Sequence, residues 1–95
     1  MSTVILASGN TELPSSPITL ADGETANIVA TLPATYNATD EMAYMEIQWQ
    51  LADLNWQTIG RLTTNMANRT AKLQDAGVYR IYRPAQANAI GAERG

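Results

Sequence analysis

From Met42 to Leu51 the chain alternates without a break. Ala43, Met45, Ile47, Trp49 and Leu51 fall on one side of an extended chain, and Met42, Tyr44, Glu46, Gln48 and Gln50 on the other. Period two marks a strand with one face in a core, so the first set is the expected core face. Turn residues recur about every ten positions along the rest of the chain, with short β-prone runs between them. Residues 3–7 read as a first strand ended by Ser8-Gly9-Asn10, and 13–17, with Pro14 and Pro17, as a connector. Residues 18–20 and 25–32 read as a hairpin around Ala21-Asp22-Gly23-Glu24, where the Asp-Gly pair suits a positive φ. A loop over 33–41 leads into the strand 42–51. Asp53-Leu54-Asn55 then turns the chain into an antiparallel return over 56–63. Residues 64–69 form a loop or sheet-crossing segment, 70–74 a short strand, 77–84 another closed by Pro84, and the tail a final short strand or an extended tail. Thr and Asn make a helix over 63–76 a poor prospect. The expectation is an all-β antiparallel sandwich of about seven to eight strands.

Composition narrows the chemistry. Ninety-five residues make one small domain, with 45% apolar and only 16% charged side chains. Neither Cys nor His occurs, which removes disulfides, thiolate nucleophiles, the commonest general base and the commonest metal ligands. No apolar run reaches the roughly 18 residues of a membrane span. The start "MSTVILASGN" has no basic leader and reads as a strand, which gives the expectation of a complete gene product made in a cytoplasm.

Charge is unevenly placed. Residues 1–60 hold seven acids and no Lys or Arg, whereas 61–95 hold six bases and two acids, so −7 and +4 sum to −3. Interleaving of acidic and basic strands within one fold accounts for this, as would acidic and basic faces meeting between molecules. Net negative charge argues against nucleic acid as a partner.

Catalysis finds little footing. The acids are dispersed, and the adjacent pair Asp40-Glu41 would point to opposite faces of a strand. Lys72 is the only lysine, and no Ser stands in a nucleophile-like motif. "DAGVYR" lacks phosphate-loop spacing. Asp22-Gly23-Glu24 lacks the alternating acids of a Ca²⁺ loop and reads as a turn. The glycosylation patterns at 37–39 and 68–70 are expected by chance in an Asn/Thr-rich chain. The expectation is therefore a non-enzyme with no catalytic residue, no cofactor and no metal.

The stretch "LQDAGVYRI", residues 73–81, resembles the tyrosine corner of immunoglobulin-like domains. Asp75 can cap the turn, Gly77 gives a permissive backbone, and Tyr79 buries its ring while its hydroxyl seeks a main-chain partner. The resemblance puts Ile81 and Ile28 where the two cysteines of such domains stand, and makes Trp49 the inter-sheet tryptophan of strand C. It maps 18–20 to strand A, 25–32 to B, 42–51 to C, 56–63 to C′ or D, 70–74 to E, 78–83 to F and 88–93 to G. Residues 1–17 stay outside as an N-terminal strand or arm, with 18–95 as the immunoglobulin-like sandwich.

In that arrangement strands C and F are neighbours, so Tyr44, Gln48, Gln50, Arg80 and Tyr82 are expected to form an exposed partner-binding patch; Tyr and Arg are enriched at interface hot spots. Trp56 is either a core edge or a second surface anchor. The layout of a Trp-bearing strand, "WQTIGRLT" (56–63), "GVYRIYRPA" (77–85) and "AIGA" (89–92) looks like that of small phage virion proteins that decorate or cement capsids. That resemblance implies a virion location. It also implies the major capsid protein or further copies of the chain as partners, homo-oligomers, and no nucleic acid or membrane. Two other readings are a glycan- or receptor-binding module, for which Tyr44, Tyr82 and Trp56 would supply stacking rings, and a head–tail connector or tail component.

Overall fold

A computed structural model describes residues 3–32, 43–64, 69–86 and 88–95. The expected loop at 33–41, the Asp40-Glu41 pair and the pattern at 37–39 lie outside these residues, as do most of 64–69 and Asn68 of the second glycosylation pattern.

The described residues form nine strands and no helix: β1 Thr3–Gly9, β2 Leu13–Pro14, β3 Ile18–Leu20, β4 Ala26–Thr31, β5 Tyr44–Gln50, β6 Trp56–Thr63, β7 Thr70–Leu73, β8 Gly77–Arg83 and β9 Ile90–Arg94. They build two packed antiparallel sheets. The first has the order β1-β9-β4-β7; the second has β2-β8-β5-β6, with β3 also on β8. The inner faces meet in one core that includes Leu6, Ile18, Leu20, Ile28, Met45, Ile47, Leu62, Leu73, Tyr79, Ile81 and Ile90. Ile28 and Ile81, the two positions mapped to cysteines, are both fully buried. Fully burying such a side chain stabilises by roughly 1.5–3 kcal/mol.

The inner strands pair as an immunoglobulin sandwich requires, B with E (β4 with β7) and C with F (β5 with β8), and 56–63 is C′ because it pairs with β5. The outer strands trade places. β3, mapped to A, pairs with β8, and β9, mapped to G, pairs with β4 and β1. Residues 18–32 are accordingly not a hairpin. Gly23 does take φ +83° and Ala21 accepts from the Glu24 amide (3.0 Å), but this turn carries the chain from the second sheet to the first.

The expected connector at 13–17 runs along β8. Leu13 and Pro14 pair with Arg83 and Tyr82, and the Ser15 amide donates to Ile81 O (2.7 Å). The Ile81 amide donates in turn to Ser15 Oγ (2.9 Å), so a side-chain oxygen stands in for a main-chain acceptor between two prolines. Of the segment 1–17 set apart in the sequence, β1 pairs with β9 and buries Leu6 in the common core.

Sheet edges are blunted by the means natural sheets use. β1 has two register shifts against β9, and β6 bulges where Ile59 has no partner between Ile47↔Gly60 and Gln48↔Thr58. β7 is short and carries Lys72; the β2–β3 edge carries Pro14 and Pro17.

One buried charge sits where the outer strands exchange. Arg83, 3% exposed, closes β8 with its side chain pointing inward. Its Nε donates to Thr11 O (2.8 Å), and one terminal nitrogen donates to Ala7 O (2.6 Å) and Ile90 O (3.0 Å). Those carbonyls belong to β1, the β1–β2 link and β9, the segments that cross between sheets at this end. Gly9 leaves room: a Cβ there would lie 3.0 Å from the guanidinium. Removing one partner of a buried hydrogen bond costs about 1–3 kcal/mol. Arg83→Ala should therefore lower stability by about 3 kcal/mol or more in urea unfolding. Arg83→Lys should cost less, about 1–2 kcal/mol, because one ammonium keeps the charge but cannot span all three carbonyls.

Candidate functional site

β8 alternates strictly. Tyr79, Ile81 and Arg83 face the core, while Arg80 and Tyr82 face outward. On β5 the outward positions are Tyr44, Glu46, Gln48 and Gln50, and register sets Glu46 beside Tyr82 and Gln48 beside Arg80. β6 adds Trp56, Thr58 and Arg61, opposite Gln50, Gln48 and Glu46. The sheet thus gathers Tyr44, Gln48, Gln50, Arg80 and Tyr82 on one face, together with Trp56.

Arg80 is the centre of this face. Its guanidinium carbon lies 4.4 Å from the Trp56 ring centroid and 5.7 Å from that of Tyr82, and its Nε donates to Gln48 Oε1 (2.7 Å). Thr58 Oγ1 donates to Glu46 Oε1 (2.7 Å). Gln48, expected to be exposed, is only 9% exposed: Arg80 and its neighbours cover it, and it serves as the polar support beneath them. A second cation–ring pair sets Arg61 5.0 Å from the Tyr44 centroid. Tyr44 is further held by Gln86, which accepts from its amide (2.8 Å) and donates to its carbonyl (2.8 Å), extending the sheet with a side chain. The Tyr82 hydroxyl donates to Glu12, which raises the phenol pKa above its ordinary value.

The corner itself forms. Tyr79 OH donates to Asp75 O (2.7 Å). The inter-sheet role expected of Trp49 does not. Trp49 lies on the core side of β5 but near its end, beyond the cover of the facing sheet, and is 39% exposed. It stacks on Tyr79 instead (centroids 6.3 Å, planes 16° apart). Gly77 is there to admit it, since a Cβ on Gly77 would sit 2.6 Å from Trp49 Nε1. Leu51, expected on the core face, is exposed as well.

Sequence alternation alone does not place Trp56, Thr58 and Arg61 on this face, because the bulge at Ile59 resets which residues of β6 face outward. Among the described residues no helix is long and apolar enough to cross a membrane, and no group of three or more acidic side chains could hold a metal ion. No protein-family model, curated protein or solved structure matches the chain.

Two measurements test this geometry. A double-mutant cycle of Arg80→Ala and Trp56→Ala should give a coupling of about 0.5–1 kcal/mol in unfolding, the range of an exposed cation–π pair. Burial, then the nearby Asp75 charge, hold the Tyr79 pKa above the ordinary phenol value near 10. The unfolded chain therefore loses this proton first as pH rises, so stability is complete below about pH 10 and falls above it. Tyr79→Phe should flatten that alkaline decline and cost about 1 kcal/mol at neutral pH through the lost bond to Asp75.

Proposed function

We propose that this chain is a non-enzymatic structural protein that acts through protein–protein contact, and that it decorates or cements a phage capsid with the outer face of its second sheet. The observation that carries this reading is the stack of Trp56, Arg80 and Tyr82 over Gln48. Trp, Tyr and Arg are the side chains that dominate binding energy at protein interfaces. An arginine already held between two rings loses little freedom on docking, which cuts the ordering cost of association. The choice of a capsid, and with it a virion location and either the major capsid protein or a second copy as partner, comes from the resemblance in the sequence.

Glycan binding fits this face less well. A sugar stacks on a free ring face, and Arg61 lies against Tyr44 while Arg80 lies against Trp56 and Tyr82. The test is cosedimentation with capsids assembled without the protein. Wild type should pellet with the shells, and Trp56→Ala or Arg80→Lys should weaken that binding about tenfold or more, equivalent to ~1.4 kcal/mol. Protein that stays in the supernatant as a monomer would sink the proposal, and ring-shaped oligomers in electron micrographs would move it to a head–tail connector or tail component.

A further inference from the structure

The hairpin joining β5 to β6 holds a side chain that folding alone does not favour. Leu54 has φ +72°, the left-handed region that glycine or asparagine normally occupies. It is also 71% exposed. A leucine there adds backbone strain and leaves apolar surface in water. The turn is not loose. The Leu54 amide donates to Leu51 O (2.9 Å), and the Leu51 amide donates to Asn55 O (2.7 Å). Asp53 accepts from both the amide and the side chain of Asn55 (3.1 Å each). The strained leucine is thus held in one place. Leu51 and Trp49, each over a third exposed, belong to the same end of the same hairpin.

The surroundings say what kind of surface would cover it. The pairings Leu20↔Gly77, Trp49↔Tyr79 and Ala26↔Leu73 bring three turns to this end of the sandwich, at 21–25, 51–55 and 74–76. They carry Asp22, Glu24, Asp53 and Asp75 and no Lys or Arg. A second copy docking end to end would set acid against acid, and an anionic lipid surface would be repelled in the same way.

We infer that Leu54, with Leu51 and Trp49, is an apolar plug that docks into an apolar recess on a different protein, one whose rim carries Lys or Arg. This plug is separate from the Arg80 face, and the inference does not rest on it.

The test replaces Leu51 with a photo-crosslinking benzoylphenylalanine in the full chain, in the cells that make the protein, with the same residue at Ile59 as control. Two backgrounds are compared, wild type and Leu54→Gly. Relief of the left-handed strain, partly offset by the greater freedom of glycine in the unfolded chain, should raise the folding equilibrium constant of Leu54→Gly about twofold to tenfold. The probe at 51 should give one discrete adduct, absent from the 59 control, mapping to a partner peptide with Lys or Arg beside apolar residues. Leu54→Gly should reduce that adduct several-fold although the fold is more stable. The inference fails if the adduct is with this chain itself, if its site is acidic, if Leu54→Gly leaves it undiminished, or if no adduct exceeds the control. A less stable Leu54→Gly protein would remove the strain on which the inference stands.

Discussion

Arg83 carries a positive charge into the space where the chain passes from one sheet to the other, and an unmet charge there would cost more than the small domain can spare. Three carbonyls meet it, one from each of three crossing segments. An apolar residue at the end of β8 would fill volume but be indifferent to which segments pass beside it. A guanidinium is not indifferent, because its donors are directional and several. With β2 and β3 already on the free edge of β8, β9 is left to pair with β4, and its Ile90 carbonyl comes to Arg83. The departure from an immunoglobulin strand order thus brings three main-chain carbonyls to the one buried charge.

The same strand builds the outer face. Tyr79, Ile81 and Arg83 anchor β8 at the corner, in the middle and at the crossing, so the intervening Arg80 and Tyr82 ride on a backbone fixed at three levels. Gln48 continues the support sideways into β5, and Trp56 closes the stack from β6. For the proposed docking role rigid placement matters, because long side chains on a mobile sheet face would have to be ordered at every encounter.

Parity along β5 and β8 was readable, since each side chain of a paired strand has only two directions available. The corner was readable for a related reason: Asp75, Gly77 and Tyr79 act within a few residues of one another. Parity also placed Arg83 in phase with Tyr79 and Ile81, a signal of its burial that its charge obscured. Three things were not local and could not be read. The period of a strand does not say how far the facing sheet extends, which is why Trp49 and Leu51 have core parity but an exposed position. The Asp-Gly turn before β4 fixes a reversal but not which sheet receives the next strand. The bulge at Ile59 is visible only in pairing.

Charge placement gains its meaning from the fold. The basic excess of the later residues is partly spent inside the molecule: Arg83 on carbonyls, Arg80 and Arg61 against rings. The acids Asp22, Glu24, Asp53 and Asp75 lie in the three turns at the corner end, with Lys72 just inside them on β7, so a chain of net charge −3 gathers acids there and shows a mixed outer face. Exposed charges act over about a Debye length, roughly 8–10 Å at ordinary salt. For a partner of the inferred kind, a basic rim would be attracted over that range to the end that bears Leu54, whereas docking on the Arg80 stack would depend on fit at close range. The hairpin between β5 and β6 carries both Leu54 and Trp56, the first at its turn and the second at the start of the returning strand.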